Sequence, residues 1–371
     1  MRSYAASSME TAVRRPTLLV LFFALFTLVA SRVSAADPPW QIKSADGKSS
    51  IAFGFLVQPQ GEWLTTTDGT DTAKNLFLRR IRLIFGGKAT DWLAFFVDTD
   101  SPNLGKGTGS TKVQEKVYIQ DAIFTLTARA QFQVDVGMLL VPLSHNGGQS
   151  AGTLLAVEYG PYSFLASDPT GSLMGRDYGA EARGYLAKHF EYRAGVFQGN
   201  RGTTATAPFR YFGRAVWYPL DAETGFFYSG TTLGVRRIVA VGGSVDHQDT
   251  YNTRSVDLYV DHPVRGGDAA TFQADFVHYD GGQLFPTLPS QNCWLLEGGY
   301  YLHAARLEPF VQVATRDPSD ASLAFERKYQ GGIAYWAGGH RYNVKLGVAQ
   351  LTRSGAPNRT QVAVQGQIFM W

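Results

Sequence analysis

Residues 75–87 read NLFLRRIRLIFGG, three arginines set among leucine, isoleucine and phenylalanine. A guanidinium binds carboxylates and phosphates through a rigid fork of donors, so the chemistry on offer is recognition of anions. Bond-breaking chemistry has less support. Asp98 and Asp100 share one strand face, an arrangement a glycosidase could use, but in a water-filled passage two such carboxylates simply set the field that ions feel. GKGTGSTK at 105–112 lacks the G-x-x-x-x-G-K-[ST] spacing, and no helical pattern follows it, so it reads as a glycine-rich turn. No G-x-S-x-G elbow occurs, no serine is flanked as a nucleophile would be, and the seven histidines from His145 to His340 never fall at metal-ligand spacing. The sequence nominates no catalytic residue, no metal site and no cofactor.

The elements that must position the arginines are strands. With side chains alternating from face to face, Ile81, Leu83 and Phe85 share one side of the segment and Arg80 and Arg82 the other. An arginine held against lipid near the bilayer centre costs about 2–4 kcal/mol, whereas one facing water costs little. Arg80 and Arg82 are therefore expected to face a wet interior and the apolar row to face hydrocarbon. Arg79 shares the outward parity, which requires it to sit at a membrane edge where its stem can reach the headgroups. The same sorting places Phe53, Phe55 and Val57 opposite Gln58, Gln60 and Glu62, and Phe209, Tyr211 and Trp217 opposite Arg210 and Arg214. Roughly sixteen such segments follow one another, the spacing of strands of about ten residues joined by turns and loops. GGKATD, HPVRGGDA, YDGGQ and TRDPSD supply the turn chemistry between them. Aromatics near segment ends, Trp63, Trp92, Trp217, Tyr218 and Trp336, read as interfacial girdles. The expected fold is all-β, a transmembrane antiparallel barrel.

Inward parity nominates the basic residues Arg80, Arg82, Arg183, Arg193, Arg210, Arg214, Arg236 and Lys345 as pore lining. It nominates the acidic residues Asp98, Asp135, Glu181, Glu191, Asp257 and Glu308 with them, so the lumen is mixed in sign. The longest irregular stretch, 144–176, follows the fifth strand and is a candidate constriction loop, since loops of this length are uncommon unless functional. It contains Glu158 and Asp168 and ends at Arg176.

The N-terminal 36 residues carry Arg14 and Arg15, then an apolar run from Thr17 to Ala30, then small residues at 34–36, the pattern of a secretory signal peptide. Residues 37–50 form a short polar lead, expected in the periplasm, and 51–371 the barrel. The net charge of +3 resides in the leader, which leaves the remainder near neutral and without the dense basic footprint that nucleic acids demand. Cys293 is the only cysteine, so no internal disulfide framework holds the chain.

FLRRIRLIFGGKATDWLAFFVDTD, YIQDAIFTLTARAQFQVDVGMLLVPLS, MGRDYGAEARGYL, VDLYVDHPV and GGYYLHAARLEPFVQ, taken in order, resemble the phosphate-selective porin O and P family over about Ile51 to Trp371. The resemblance implies a bacterial outer-membrane barrel of sixteen strands, typically a homotrimer, whose third extracellular loop folds toward the pore. It also implies basic residues that favour anions such as phosphate, and a terminal aromatic read by the barrel-assembly machinery. Trp371 and Phe369 stand at that signal, and their parity opposite Val362, Val364 and Ile368 suggests a bulge or register shift in the last strand. No arginine or lysine lies between 144 and 175, so a phosphate site of clustered arginines is absent from the loop itself. The alternative is a secreted or outer-membrane β-protein with a ligand-binding or hydrolytic role. Strand number separates the two, because about eight strands leave a packed interior and about sixteen an aqueous channel.

Overall fold

A computed structural model describes residues 40–168, 170, 171 and 174–371; the expected leader and the first part of the polar lead lie outside them. Sixteen long strands run in sequence. The first eight are β1 (Ser50–Thr65), β2 (Thr72–Lys88), β3 (Leu93–Asp100), β4 (Tyr118–Arg129), β5 (Phe132–Leu140), β6 (Arg176–Leu186), β7 (Phe190–Phe197) and β8 (Arg210–Trp217). The second eight are β9 (Ile238–Gln248), β10 (Tyr251–Pro263), β11 (Ala269–Asp280), β12 (Gln291–Tyr301), β13 (Leu307–Pro318), β14 (Glu326–Tyr335), β15 (Tyr342–Arg353) and β16 (Arg359–Met370). Each pairs antiparallel with its neighbours, and β16 returns to β1 with Phe55 opposite Met370 and Leu64 opposite Gln361. That last pairing closes the sheet and removes both free edges. A short strand, Trp40–Lys43, continues beside β1 where β16 stops, with Trp40 stacked on Phe53. GKGTGSTK forms a two-strand hairpin at Gly107–Thr108 and Thr111–Lys112.

Alternation sorts the wall. Val241, Val245, Val256, Phe272, Trp294, Leu296, Val311 and Val348 are exposed on the outer surface, while Gln60, Glu62, Asp246, Thr253, Asp257, Gln273 and Gln312 are buried within. Trp92 and Trp217 face outward as girdle residues. Tyr218 and Trp336 do not: both are fully buried inside the barrel, Tyr218 donating to Glu191 at 3.0 Å and Trp336 donating through Nε1 to Glu308 at 2.7 Å. Their rings answer to a luminal carboxylate, not to the headgroups.

Arg79 corrects the parity argument. Between β1 and β2 the register slips, Gln58 facing Arg80 and Pro59 facing Leu78, so Arg79 has no opposite residue. Pro59 has no N–H to give the ladder, and the bulge it accompanies turns Arg79 to the inside beside Arg80. The last strand is simpler than expected. Its register with β1 is continuous; Gln365, Gln367 and Phe369 turn inward and Ile368 outward.

At the end of the barrel that holds residues 50 and 371, the terminal end, the connections span two to six residues except for 218–237. At the far end the longest is 141–175. Both long connections enter the lumen.

Val256 lies mid-strand on the outer face, 60 % exposed. Val256→Arg is expected to lower unfolding stability in lipid vesicles by about 2–4 kcal/mol, read from denaturant titration; a loss near zero would show that this face does not meet hydrocarbon.

Candidate functional site

The inward rows of β2 and β6–β8 carry arginines, each met by a carboxylate. Arg82 bonds Asp100 at 3.0 Å and Asp98 at 3.3 Å, Arg176 bonds Asp121 at 3.0 Å, and Arg183 bonds Asp135 at 2.5 Å. Arg193 holds Glu191 at 2.5 Å with Glu181 at 3.7 Å, Arg210 bridges Asp177 and Asp246 at 3.1 and 2.6 Å, and Arg214 forks onto Asp257 at 2.7 and 2.8 Å. Arg82 with Asp98 and Asp100, Arg183 with Asp135 and Arg210 with Asp246 join adjacent strands, Arg176 and Arg214 reach their acids across an intervening strand, and Arg193 meets Glu191 on its own strand. A buried charge persists only when paired and hydrogen-bonded. Among the described residues, buried carboxylates outnumber buried cations, so the middle of the lumen carries no positive excess.

Lysines differ. Lys345 donates to the carbonyls of Leu154 and Ala156, the latter at 3.1 Å, and Lys328 donates to Gln312 at 3.1 Å. Both are held by neutral oxygens.

Residues 141–160 cross the lumen bonded to wall after wall. Asn146 N donates to Asp275 at 3.0 Å, Gln149 to Gln273 at 2.6 Å, Gln58 to Ala151 O at 3.3 Å, and Gln312 to Glu158 O at 3.1 Å. Glu158 is the anchor opposite β2: Arg79 lies 2.6 Å and Arg80 2.7 Å from its oxygens. Burial opposes ionisation of Glu158, but the two guanidiniums prevail and hold its carboxyl down at about 2.

From the other end, residues 218–237 meet this crossing segment edge to edge. Tyr228 N donates to Gly148 O and Ser150 N to Tyr228 O, both at 2.9 Å, and Thr231 N donates to Thr153 O at 3.1 Å. His145 lies between two rings, 3.8 Å from that of Tyr259 and 4.9 Å from that of Tyr228, with Nε2 2.8 Å from Glu223. Burial disfavours a charged His145; Glu223 outweighs it and raises the histidine's pKa. Gly230 permits the approach, since a β-carbon there would lie 2.5 Å from Thr153 O. The lumen thus contains a seam built by two connections that enter from opposite ends.

Of the nominated residues, Arg80, Arg82, Arg176, Arg183, Arg193, Arg210, Arg214, Lys345, Asp98, Asp135, Glu181, Glu191, Asp257 and Glu308 are buried within the barrel, and Glu158 is half-buried against β2. Two fall elsewhere. Arg236 precedes β9 and donates to Ala222 O inside its own connection, because the strand begins only at Ile238. Asp168 is exposed at a bend whose backbone carbonyl accepts from Gly171 N. Parity could not find His145, Glu223 or Tyr228, which lie off the strands. The available signal was length: YPLDAETGFFYSGTTLGVRR interrupts the alternation for twenty residues.

The family model for phosphate-selective porin O and P matches residues 64–238, from the end of β1 to the first residue of β9, which takes in the arginine row and both luminal connections. Over that part of its length the chain is similar to the phosphate-selective porin O and P family. This porin also shares its barrel with solved structures. It is 14 % identical to the anion-selective porin from Comamonas acidovorans, at a TM-score of 0.60 covering 87 % of this chain and 100 % of that one. Against OprB of Pseudomonas putida the figures are 9 %, 0.62, 86 % and 94 %. Against the trimer form of OmpT, an outer-membrane protein of Vibrio cholerae, they are 9 %, 0.56, 87 % and 100 %. At such identities the likeness establishes the fold. No curated protein matches the sequence.

The two mouths of this porin differ in chemistry. At the far end a cavity of about 630 Å³ is lined by Arg327, Arg353 and Arg359 with Glu326 as its acid. At the terminal end a cavity of about 390 Å³ is lined by Phe96, Phe226, Phe227, Phe369 and Trp371 among others.

Glu158 sets a pH window. Its folded value of about 2 lies below the ordinary 4.5, so the anchor's contribution is complete above about 4.5 and is lost as pH falls toward 2. Glu158's contribution to the difference in single-channel conductance between the unaltered protein and a Glu158→Gln variant is therefore expected to stay constant above about pH 4.5 and to vanish as pH falls toward 2. At the seam, Gly230→Val is expected to part the two segments and raise single-channel conductance; an unchanged value would place the narrowest point elsewhere.

Proposed function

We propose that this outer-membrane porin passes small hydrophilic solutes by diffusion, with a preference for anions that include phosphate without being specific to it. The channel itself follows from family and fold, and neither points to an enzyme. The anion preference is supported by the far mouth, where three arginines face one glutamate, and by Lys328 and Lys345, which keep neutral partners. A positive mouth concentrates anions and steers them inward, an effect that weakens with salt. Deeper in, guanidiniums occupied by carboxylates lower the local charge without offering a ready fork to phosphate, which argues for mild selection over tight binding.

The same reading covers assembly. Residues 1–36 would direct export, Phe369 and Trp371 would present the last strand to the barrel-assembly machinery, and three copies would associate through the outer faces. The trimer form of a structurally similar barrel supports the last point by analogy of fold.

Reversal potentials across planar bilayers in a KCl gradient test the selectivity. A potential of the sign given by chloride preference is expected, falling toward zero in an Arg327→Ala, Arg353→Ala, Arg359→Ala variant and shifting less in Arg80→Ala, Arg82→Ala. A cation-selective potential in the unaltered protein would refute the anion preference.

A further inference from the structure

A lumen filled with water has no use for a cluster of aromatic side chains, yet the terminal mouth holds one. Phe96, Phe227 and Trp371 meet edge to face, with ring centroids 5.7 Å apart for Phe96 and Phe227 and 5.6 Å for Phe96 and Trp371, and Phe226 meets Phe227 at 4.9 Å. They do not close on one another. The cavity of about 390 Å³ left among them falls in the size range of small-molecule sites, which are mostly apolar with a few placed polar groups.

The polar groups lie next door. A smaller cavity of about 50 Å³ shares Phe96, Ser150, Phe227, Phe369 and Trp371 with the larger one and reaches Asp98, Arg82 and Arg176. Asp98 gives one carboxylate oxygen to Arg82, while its other oxygen, buried, has no hydrogen-bond partner. Around this inner cavity Asp98 and Asp100 both pair with Arg82 and Asp121 with Arg176, so three carboxyl groups share two guanidiniums. A buried carboxyl oxygen without a donor calls for a donor. Aromatic faces also attract cations.

We infer that the terminal mouth is a binding subsite for a solute bearing a flat aromatic ring and an ammonium group. The ring stacks among Phe96, Phe227 and Trp371, and the ammonium donates to the unpartnered oxygen of Asp98. This rests on the porin reading, which supplies the open mouth, and names a solute class for it. An aromatic amine and an aromatic amino acid share this chemistry; the second adds a carboxylate that the free N–H groups of Arg82 and Arg176 can meet.

The test is equilibrium binding to the folded barrel in detergent by titration calorimetry, using phenethylammonium, phenylalanine and phenylacetate. Saturable binding of phenethylammonium with none of phenylacetate is expected, and phenylalanine binding as well would place amino acids among the solutes. Phe227 lies on a connection outside the sheet, so Phe227→Ala leaves the wall intact; it should weaken binding about fivefold. Asp98→Asn should remove the preference for ammonium over acetate. Binding of phenylacetate as tight as that of phenethylammonium, or no saturable binding of either, overturns the inference. Ion current in bilayers is read separately: current without aryl-ammonium binding sinks the subsite alone, whereas a barrel that binds the ammonium and carries no current sinks the porin reading.

Discussion

Closure of β16 onto β1 is the constraint on which the rest depends. Hydrocarbon offers no partner to a backbone N–H or C=O, so a sheet can cross a membrane only when no strand is left with a bare edge. Once the pairing of Phe55 with Met370 and its neighbours completes the ring, parity assigns the strand residues to one of two solvents wherever no bulge resets it. Valines and aromatics outside and carboxylates, amides and guanidiniums inside are consequences of that assignment. With sixteen strands the enclosed space is wider than wall side chains can fill, and two connections occupy it.

Charge inside this barrel is organised by neutralisation. Arginine rows on β2 and β6–β8 lie next to acidic rows, and the pairs are so well formed that the mid-lumen presents alternating dipoles more than a basic surface. Such pairs are poor evidence for stability, because desolvation consumes most of what attraction returns. They do fix side chains in place, and with them the outline of the passage. On the function proposed above, selectivity falls to the places where pairing is incomplete, the far mouth and the two lysines on one side and, on the inferred subsite, the aromatic mouth with its unpartnered Asp98 oxygen on the other.

Much of the wall was legible in the sequence, because period-two alternation over long strands leaves little freedom. Arg80, Arg82 and Arg214 could be assigned to the interior from their neighbours alone. Where the reading failed, a local break in the pattern was responsible. Pro59 interrupts the ladder and the bulge reverses the parity of Arg79, a change invisible to a count that assumes unbroken alternation. Trp336 and Tyr218 were assigned by residue type to a membrane interface, although buried carboxylates claim their donors. The seam was out of reach for another reason: contacts such as Thr231 to Thr153 join connections far apart in the chain, and neither segment shows a period of its own.

That seam bears on how the molecule is made. Residues 148–153 and 228–231 hold each other through backbone bonds that have meaning only inside a finished enclosure, since the walls that position them belong to strands from both halves of the chain. Ordering two flexible stretches before those walls exist would spend conformational entropy with nothing gained in return. The crossing segments therefore gain their partners only once strands from both halves of the chain have come together around them.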